Sequence, residues 1–151
     1  MKKFIFILSL FISFSANAGA DKAQDDSQMT KIRQETEKYK KYCYDNEAFP
    51  KGIDNYSFYN NDIKEGEYRY HQCLKKIIIQ KIRSFASNKD AEKMIESLNK
   101  IQNGTLDYYW TLYNIDDFGV AGRMQNDAVM GRRMEDILED TIHYQIIYGN
   151  N

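Results

Sequence analysis

Apolar side chains recur every three or four residues over long stretches of this chain, and that spacing restricts its fold more than any other feature. The clearest series is Tyr70, Cys73, Leu74, Ile77, Ile78, Ile82 and Phe85. Residues at such steps lie on one face of an α-helix, whereas a half-buried strand needs apolar residues at every second position. The series therefore predicts an amphipathic helix from about Lys64 to Ala86.

Three further segments have the same helical spacing. A first helix is predicted to begin near Ser27, a suitable N-cap, and Asn88 is predicted to cap a third. A fourth follows Gly119 and ends near Ile147, while Gly104 is expected to kink or interrupt the third. The apolar series of the last two helices are Met94, Leu98, Ile101, Thr105, Tyr108, Leu112 and Ile115, then Val120, Met124, Ala128, Gly131, Met134, Leu138, Ile142 and Gln145. Because no pair of adjacent alternating strands stands out, the sequence predicts an all-α domain resembling a small four-helix bundle.

One long connection breaks the helical pattern. The segment from Asp45 to Asp62 contains the only proline of the chain, a glycine and four asparagines, a composition typical of a loop. Loops of this length are uncommon inside compact domains and are often functional. Its large apolar residues are Phe49, Ile53, Tyr56, Phe58 and Tyr59. These side chains either fold back onto the core as a covering flap or form an exposed recognition loop, and the sequence leaves both interpretations open.

The beginning of the chain has the three parts of a secretory signal peptide. A short basic stretch precedes an apolar run, Phe4 to Phe14, and two overlapping A-x-A cleavage patterns follow. The apolar run is too short to cross a bilayer as a helix. We therefore expect residues 1–20 to be a cleaved signal peptide and residues 21–151 to form a single periplasmic or secreted domain. Residues 21–27 of that domain are expected to be disordered.

The charge balance of the mature chain does not favour nucleic-acid binding. Cleavage after Ala20 leaves 131 of the 151 residues, with 19 basic and 22 acidic side chains and a formal charge of −3. Nucleic-acid-binding domains usually carry a basic excess instead. Without a second long apolar run, the mature domain is also expected to have no stable membrane insertion.

Two cysteines remain after cleavage, Cys43 and Cys73. An even number of cysteines in an oxidising compartment favours a disulfide. A zinc site needs a closely spaced cysteine pair and further ligands, which this sequence does not offer. We therefore predict a Cys43–Cys73 disulfide and no metal site.

Motifs of catalysis are missing from the sequence. It contains no G-x-S-x-G, P-loop, H-E-x-x-H or EF-hand loop. His71 and His143 are expected to be ordinary surface or boundary histidines. The acidic residues Glu135, Asp136 and Glu139 fit a solvated helix face. We therefore expect neither enzymatic activity nor a cofactor.

The densest aromatic cluster lies between Leu106 and Tyr113, in the sequence LDYYWTLY. Core and boundary packing is the expected role of most of these side chains. Three arginines flank the cluster in sequence, Arg123, Arg132 and Arg133. At least two of them are expected to form surface ion pairs with Asp116, Asp117 or Glu135, each contributing at most about 1 kcal/mol.

In the C-terminal half, the aromatic pair Trp110 and Tyr113 is followed by a connection with Gly119 or Gly122 and by a last helix with Arg133 and Leu138. This order resembles the LprI-like lysozyme-inhibitor domain family, in which an aromatic-rich helix with a W-x-x-Y-R type motif precedes a glycine-containing connection and a last helix. Trp110 and Tyr113 match the aromatic pair, and Arg133 loosely matches the arginine of the last helix. This chain departs from the pattern because Asn114 replaces the motif arginine and the expected cysteines after the motif and in the last helix are absent.

The resemblance implies a periplasmic protein that blocks lysozyme. A muramidase cleft works with two carboxylates, which a protein inhibitor can occupy with basic or hydroxyl groups while it excludes substrate. Residues chosen for this chemistry, not for a family motif, are Lys51, Tyr56, Tyr59, Arg132 and Arg133. Two alternatives stay open from the sequence: an immunity protein that neutralises a toxin delivered to the periplasm, and a non-catalytic accessory protein of the cell envelope.

Overall fold

Four helices pack together in a computed structural model, which describes residues 26–49, 60–115 and 119–149. Helix α1 covers residues 26–43 and continues into one wider, π-helical turn, Tyr44–Ala48. Helices α2, α3 and α4 follow as Asn60–Phe85, Asn88–Ile115 and Gly119–Tyr148. The described ranges contain no strand. The prediction of an all-α fold with four helices is therefore confirmed.

The core lies mainly between α2 and α4, which form the most extensive helix pair. The largest side chains excluded from solvent are Ile32, Leu74, Ile78, Met130, Met134, Leu138, Ile142, His71 and Cys43. On both α2 and α4 the buried positions follow the three- and four-residue steps expected from the sequence. Burial of each large apolar side chain contributes about 1.5 to 3 kcal/mol, which makes this pair of helices the centre of the domain.

Helix α1 is attached to this pair by one buried side chain and one covalent bond. Ile32 is only 1% exposed and packs in the same core. Cys43, at the end of α1, forms a disulfide with Cys73 on α2, with an S–S distance of 2.06 Å and a Cα–Cα distance of 5.6 Å. The predicted pairing is confirmed. Lys81 of α2 also contacts the carboxylate of Glu35 on α1.

The N-cap and the C-terminal boundary predicted for the first helix are wrong. Residue 26 is already helical, and the Thr30 hydroxyl donates a 2.8 Å hydrogen bond to the Asp26 carbonyl, so Ser27 lies within the helix and does not cap it. At the other end, the predicted loop starts later, because the Phe49 amide donates a 3.0 Å hydrogen bond to the Tyr44 carbonyl and closes one more turn.

The connection to α2 is correspondingly shorter than the predicted loop of residues 45–62, since α2 already begins at Asn60. The Phe49 side chain is half-buried and packs against the core. The position of the Phe49 side chain therefore agrees with the covering-flap interpretation. Residues 50–59, which include the other aromatic side chains of the predicted loop, lie outside the described residues.

Helix α3 is capped by Ser87 and not by Asn88. The Ser87 hydroxyl accepts a 3.3 Å hydrogen bond from the Asp90 amide and donates a 2.7 Å hydrogen bond to the Asp90 carboxylate. This reciprocal pair resembles a capping box. Gly104 does not interrupt the helix as predicted. A Cβ atom at this glycine would meet nothing within 4 Å, so its cost is limited to the low helix propensity of glycine, about 1 kcal/mol.

No helix within the described ranges is long and apolar enough to cross a lipid bilayer.

Candidate partner-binding surface

The C-terminal half of α3 exposes several large side chains, two of them aromatic. Tyr108 is 63% exposed, Trp110 is 48% exposed and Leu112 is 38% exposed. The prediction that core and boundary packing accounts for most of this cluster is therefore wrong. Helix α3 buries Ala91, Leu98 and Gln102, but no described side chain between residues 103 and 112 is buried. Met94 and Ile101, earlier in the predicted apolar series of α3, are exposed as well, so the series does not mark the face that the other helices cover.

Beside these aromatic residues, an open cleft of about 360 Å³ lies between α3 and α4. Its lining residues are Thr105, Tyr109, Val129, Arg132, Arg133 and Asp136. We call this set the α3–α4 cleft. Thr105 and Tyr109 are four residues apart on α3, a spacing that places their side chains on one face of the helix. The ring of Tyr109 meets the ring of Tyr108 edge-on, with a centroid distance of 5.1 Å, which joins the cleft to the exposed aromatic surface.

Arg132 and Arg133 are both exposed on α4. Neither forms an ion pair with any residue that the structure describes. Glu135, their expected partner, is held by two other residues. Its Oε2 atom lies 3.0 Å from Lys40 Nζ, and its Oε1 atom accepts a 2.9 Å hydrogen bond from the Tyr70 hydroxyl. The predicted pairing of these arginines with Glu135 is therefore wrong. Arg123, Asp116 and Asp117 belong to the part whose side chains are not described.

The contacts of Glu135 contribute to raised pKa values of both partners. A hydrogen bond to Glu37, supplemented by the contact with Glu135, raises the pKa of Lys40 although partial burial opposes this shift. Burial, together with the hydrogen bond to Glu135, raises the pKa of the Tyr70 phenol above its ordinary value. Both groups therefore keep their protons at neutral pH. Glu135 is consequently directed toward α1 and α2. The lining of the α3–α4 cleft therefore has a net positive charge, because it contains two arginines and a single carboxylate, that of Asp136.

His71 is fully buried, contrary to the prediction of a surface or boundary position. Its Nε2 atom lies 3.4 Å from Oδ1 of Asp127 on α4, and its ring meets Tyr68 edge-on at 5.2 Å. The spacing of His71 to Leu74 and Ile78, three and then four residues, was the available sign that this side chain belongs to the core face. His143 is half-buried, as expected for a boundary histidine.

The remaining predicted site residues fall in different places. Arg132 and Arg133 lie together on the α3–α4 cleft, and Trp110 is exposed on the adjoining part of α3. Tyr113 lies on α3, and its side chain is outside the described part. The loop residues Lys51, Tyr56 and Tyr59 also lie outside the described residues. Residues that the sequence did not single out for binding are Thr105, Tyr109 and Asp136. Across the described ranges, no group of three or more potential metal ligands comes together.

Comparison with known proteins gives no relative for this chain. No protein-family model matches it, and searches of curated proteins and of solved structures find no significant similarity.

Proposed function

We propose that the mature chain is an exported binding protein that recognises another protein through the α3–α4 cleft and the adjoining exposed part of α3. The observation that carries this proposal is the placement of Arg132 and Arg133, exposed and without an ion pair among the described residues, next to an aromatic helix surface. Isolated exposed apolar residues are normal on a soluble protein, but an aromatic cluster beside two arginines is typical of an interaction surface.

The residue types of this surface suit a protein interface. Tryptophan, tyrosine and arginine are the residues most enriched among those that dominate binding energy. Here Tyr109, Trp110 and the two arginines are carried by long helices, so little backbone freedom is lost when a partner binds. Such preorganisation lowers the entropic cost of association.

The first partner that we propose is a muramidase. The catalytic cleft of such an enzyme holds two carboxylates, and a guanidinium group binds a carboxylate through two parallel hydrogen bonds. Arg132 and Arg133 supply two such groups side by side, and the bulk of α3 would exclude the polysaccharide substrate. The resemblance of the C-terminal half to lysozyme-inhibitor domains supports the same partner. Lys51, Tyr56 and Tyr59 are proposed as additional contacts from the connection between α1 and α2.

Binding can be measured by calorimetry between the oxidised mature domain and muramidases of several structural types. We expect the double variant Arg132→Ala, Arg133→Ala to weaken binding at least about thirtyfold, the cost of losing one dominant interface residue. The matched control is Arg33→Ala with Arg83→Ala. It also removes two positive charges, but from α1 and α2, and it should leave the affinity unchanged.

The loop contribution needs a separate variant. Tyr56→Ala with Tyr59→Ala is expected to weaken partner binding while the helix content measured by circular dichroism stays constant. Unchanged affinity would remove the loop from the proposed interface. Absence of binding to every muramidase would contradict the proposed partner and favour the toxin-immunity alternative, which is tested with periplasm-acting toxins in the same assay.

A further inference from the structure

A second pocket, of about 220 Å³, lies on the other side of Arg132, between α2, α4 and the turn Tyr44–Ala48. Its lining residues are Tyr44, Phe49, Glu67, Tyr70, Ala128, Gly131, Arg132 and Glu135. We call it the acidic-aromatic pocket. It is separate from the α3–α4 cleft except that Arg132 borders both. Nothing in the proposed protein interface requires it.

Three aromatic rings form one side of this pocket. Tyr44 lies 5.0 Å from Phe49, measured between ring centroids, and 6.3 Å from Tyr70 at an interplanar angle of 79°. The disulfide holds this arrangement, because Cys43 immediately precedes Tyr44 and is bonded to Cys73, three residues after Tyr70. The rings of Tyr44 and Tyr70 therefore come from two segments that are covalently tied together beside the pocket.

Two glycines allow these rings to lie close to the helix backbones. A Cβ atom on Gly131 would come within 3.2 Å of the Tyr70 ring and 3.7 Å of Oε2 of Glu67. A Cβ atom on Gly66 would come within 2.5 Å of the Phe49 ring, closer than real Cβ contacts permit. The space that the pocket occupies thus depends on the lack of side chains at Gly66 and Gly131.

The pocket contains one carboxylate that has no partner among the described residues. Glu135 is already held by Tyr70 and Lys40. Glu67 is half-buried, and no hydrogen bond or ion pair joins it to any residue in the described ranges. Burial, followed by the charge of Asp127, raises the pKa of Glu67, although His71 and Arg132 oppose this shift. The side chain therefore loses part of its hydration while no cation contacts it directly, although Arg132 lies at the edge of the same pocket.

We propose that the acidic-aromatic pocket binds one organic cation, an ammonium or guanidinium group, which pairs with Glu67 and lies against the rings of Tyr44 and Phe49. Aromatic faces attract cations through their quadrupole, and aromatic cages recognise alkylated ammonium groups in this way. The neighbouring carboxylate adds a direct charge pair, which is stronger in a partly buried site than in water. Such a cation is either a free amine or the side chain of a lysine or arginine in another protein.

The positive charge of Arg132 at the pocket edge argues for a monovalent ligand. Together with Lys40 it compensates much of the negative charge of Glu67 and Glu135, so the pocket lacks the excess of anionic oxygen ligands that a divalent metal needs. The ring surface, in contrast, suits a cation that carries carbon atoms.

The test uses the oxidised mature domain and small probes observed by amide chemical shifts in NMR. The cationic probes are choline, N-acetyl-lysine methylamide and N-acetyl-arginine methylamide. The neutral controls of the same shape are 3,3-dimethylbutan-1-ol for choline and the citrulline analogue for the arginine derivative. We expect each neutral probe to bind at least about fivefold more weakly than its charged counterpart. Tighter binding of choline would indicate a free amine as the natural ligand, and tighter binding of the amino-acid derivatives would indicate a protein side chain.

Variants identify the groups responsible. Glu67→Gln should weaken binding of the cationic probes about tenfold or more, whereas Glu139→Gln, the same change on α4 and outside the pocket, should have no effect. Tyr44→Leu should weaken binding and Tyr44→Phe should preserve it, because the phenyl ring keeps its attraction for a cation.

Equal binding of charged and neutral probes, unchanged binding by the Glu67 variant, or no shift of the pocket amides would each overturn the proposal. Because no protein partner is used, these outcomes are independent of the proposed function.

Discussion

The phenol of Tyr70 on α2 donates a 2.9 Å hydrogen bond to Oε1 of Glu135 on α4, and Lys40 on α1 binds the other carboxylate oxygen at 3.0 Å. A single carboxylate therefore joins three of the four helices. Hydrogen bonds to charged acceptors contribute more than neutral ones when they are partly shielded from water. Since both oxygens of Glu135 are occupied, this carboxylate forms no ion pair with Arg132 or Arg133, which links the packing of the bundle to the charge of the α3–α4 cleft.

Removing the Tyr70 hydroxyl tests this link. We expect Tyr70→Phe to lower the free energy of unfolding by about 1.5 to 3 kcal/mol, the usual cost of a hydrogen bond to a charged group. Urea denaturation measures the change. Tyr68→Phe is the control, since Tyr68 is 52% exposed and should change stability by less than about 0.5 kcal/mol. Equal losses in the two variants would contradict a specific role for the Tyr70–Glu135 bond.

The position of the core between α2 and α4 can be tested with two methionines. Met134 is completely buried, so Met134→Ala should destabilise the domain by about 2 to 5 kcal/mol through lost burial and the cavity that remains. Met94 is 36% exposed, and Met94→Ala should have a much smaller effect. Thermal unfolding followed by circular dichroism compares them. A larger loss for Met94 would place the core elsewhere.

The disulfide should stabilise the domain by constraining the unfolded chain. Cys43 and Cys73 are 30 residues apart, and the chain-entropy relation gives about 3 to 4 kcal/mol for a loop of this length. We expect the double variant Cys43→Ala, Cys73→Ala to lose a stability of this order in urea titrations. Adding a reductant should shift the midpoint of the wild-type protein downward and leave the double variant unchanged. A reductant-insensitive wild-type midpoint would be inconsistent with a stabilising disulfide.

Glu67 should make stability depend on pH. Its pKa is raised in the folded state, first by burial and then by Asp127, so the folded protein holds this proton more tightly than the unfolded chain does. The resulting stabilisation is complete below the unfolded pKa of about 4.3 and is lost as the pH rises through the folded pKa.

Replacing this carboxyl removes that dependence. Relative to wild type, Glu67→Gln should gain stability between pH 4 and pH 7, measured by urea denaturation at both values. Glu139→Gln serves as the reference for a glutamate whose charge is not enclosed by the pocket. A difference between Glu67→Gln and wild type that is the same at both pH values would contradict the proposed burial of this charge.

Much of the fold follows from periodicity alone. The α2 and α4 series predicted helices whose apolar faces are buried, because each of these helices packs against the other over much of its length. The disulfide was equally predictable, since only two cysteines were available in an oxidising compartment. The α3 series was misleading, because Met94, Ile101 and Tyr108 are exposed although they belong to it. The buried positions of α3, Ala91, Leu98 and Gln102, lie on a partly different face. Periodicity reports that one face of a helix is apolar, but it does not report which face the neighbouring helices cover.

The candidate site was less predictable because its charge depends on which side chains pair with one another in the folded protein. Glu135 was an obvious partner for Arg132 and Arg133 in sequence, but residues brought close by the fold, Tyr70 and Lys40, occupy it instead. The burial of Glu67 likewise depends on α4 and on the turn after α1. Such contacts form between segments that are distant in sequence, so no local sequence pattern predicts them.

The most direct test of the proposed function is a titration of muramidase activity with the oxidised mature domain. We expect activity to be lost completely near a one-to-one ratio. Arg132→Ala with Arg133→Ala should abolish this inhibition, and Arg33→Ala with Arg83→Ala should preserve it. Full muramidase activity in the presence of excess domain, for every structural type of enzyme, would contradict the proposed function.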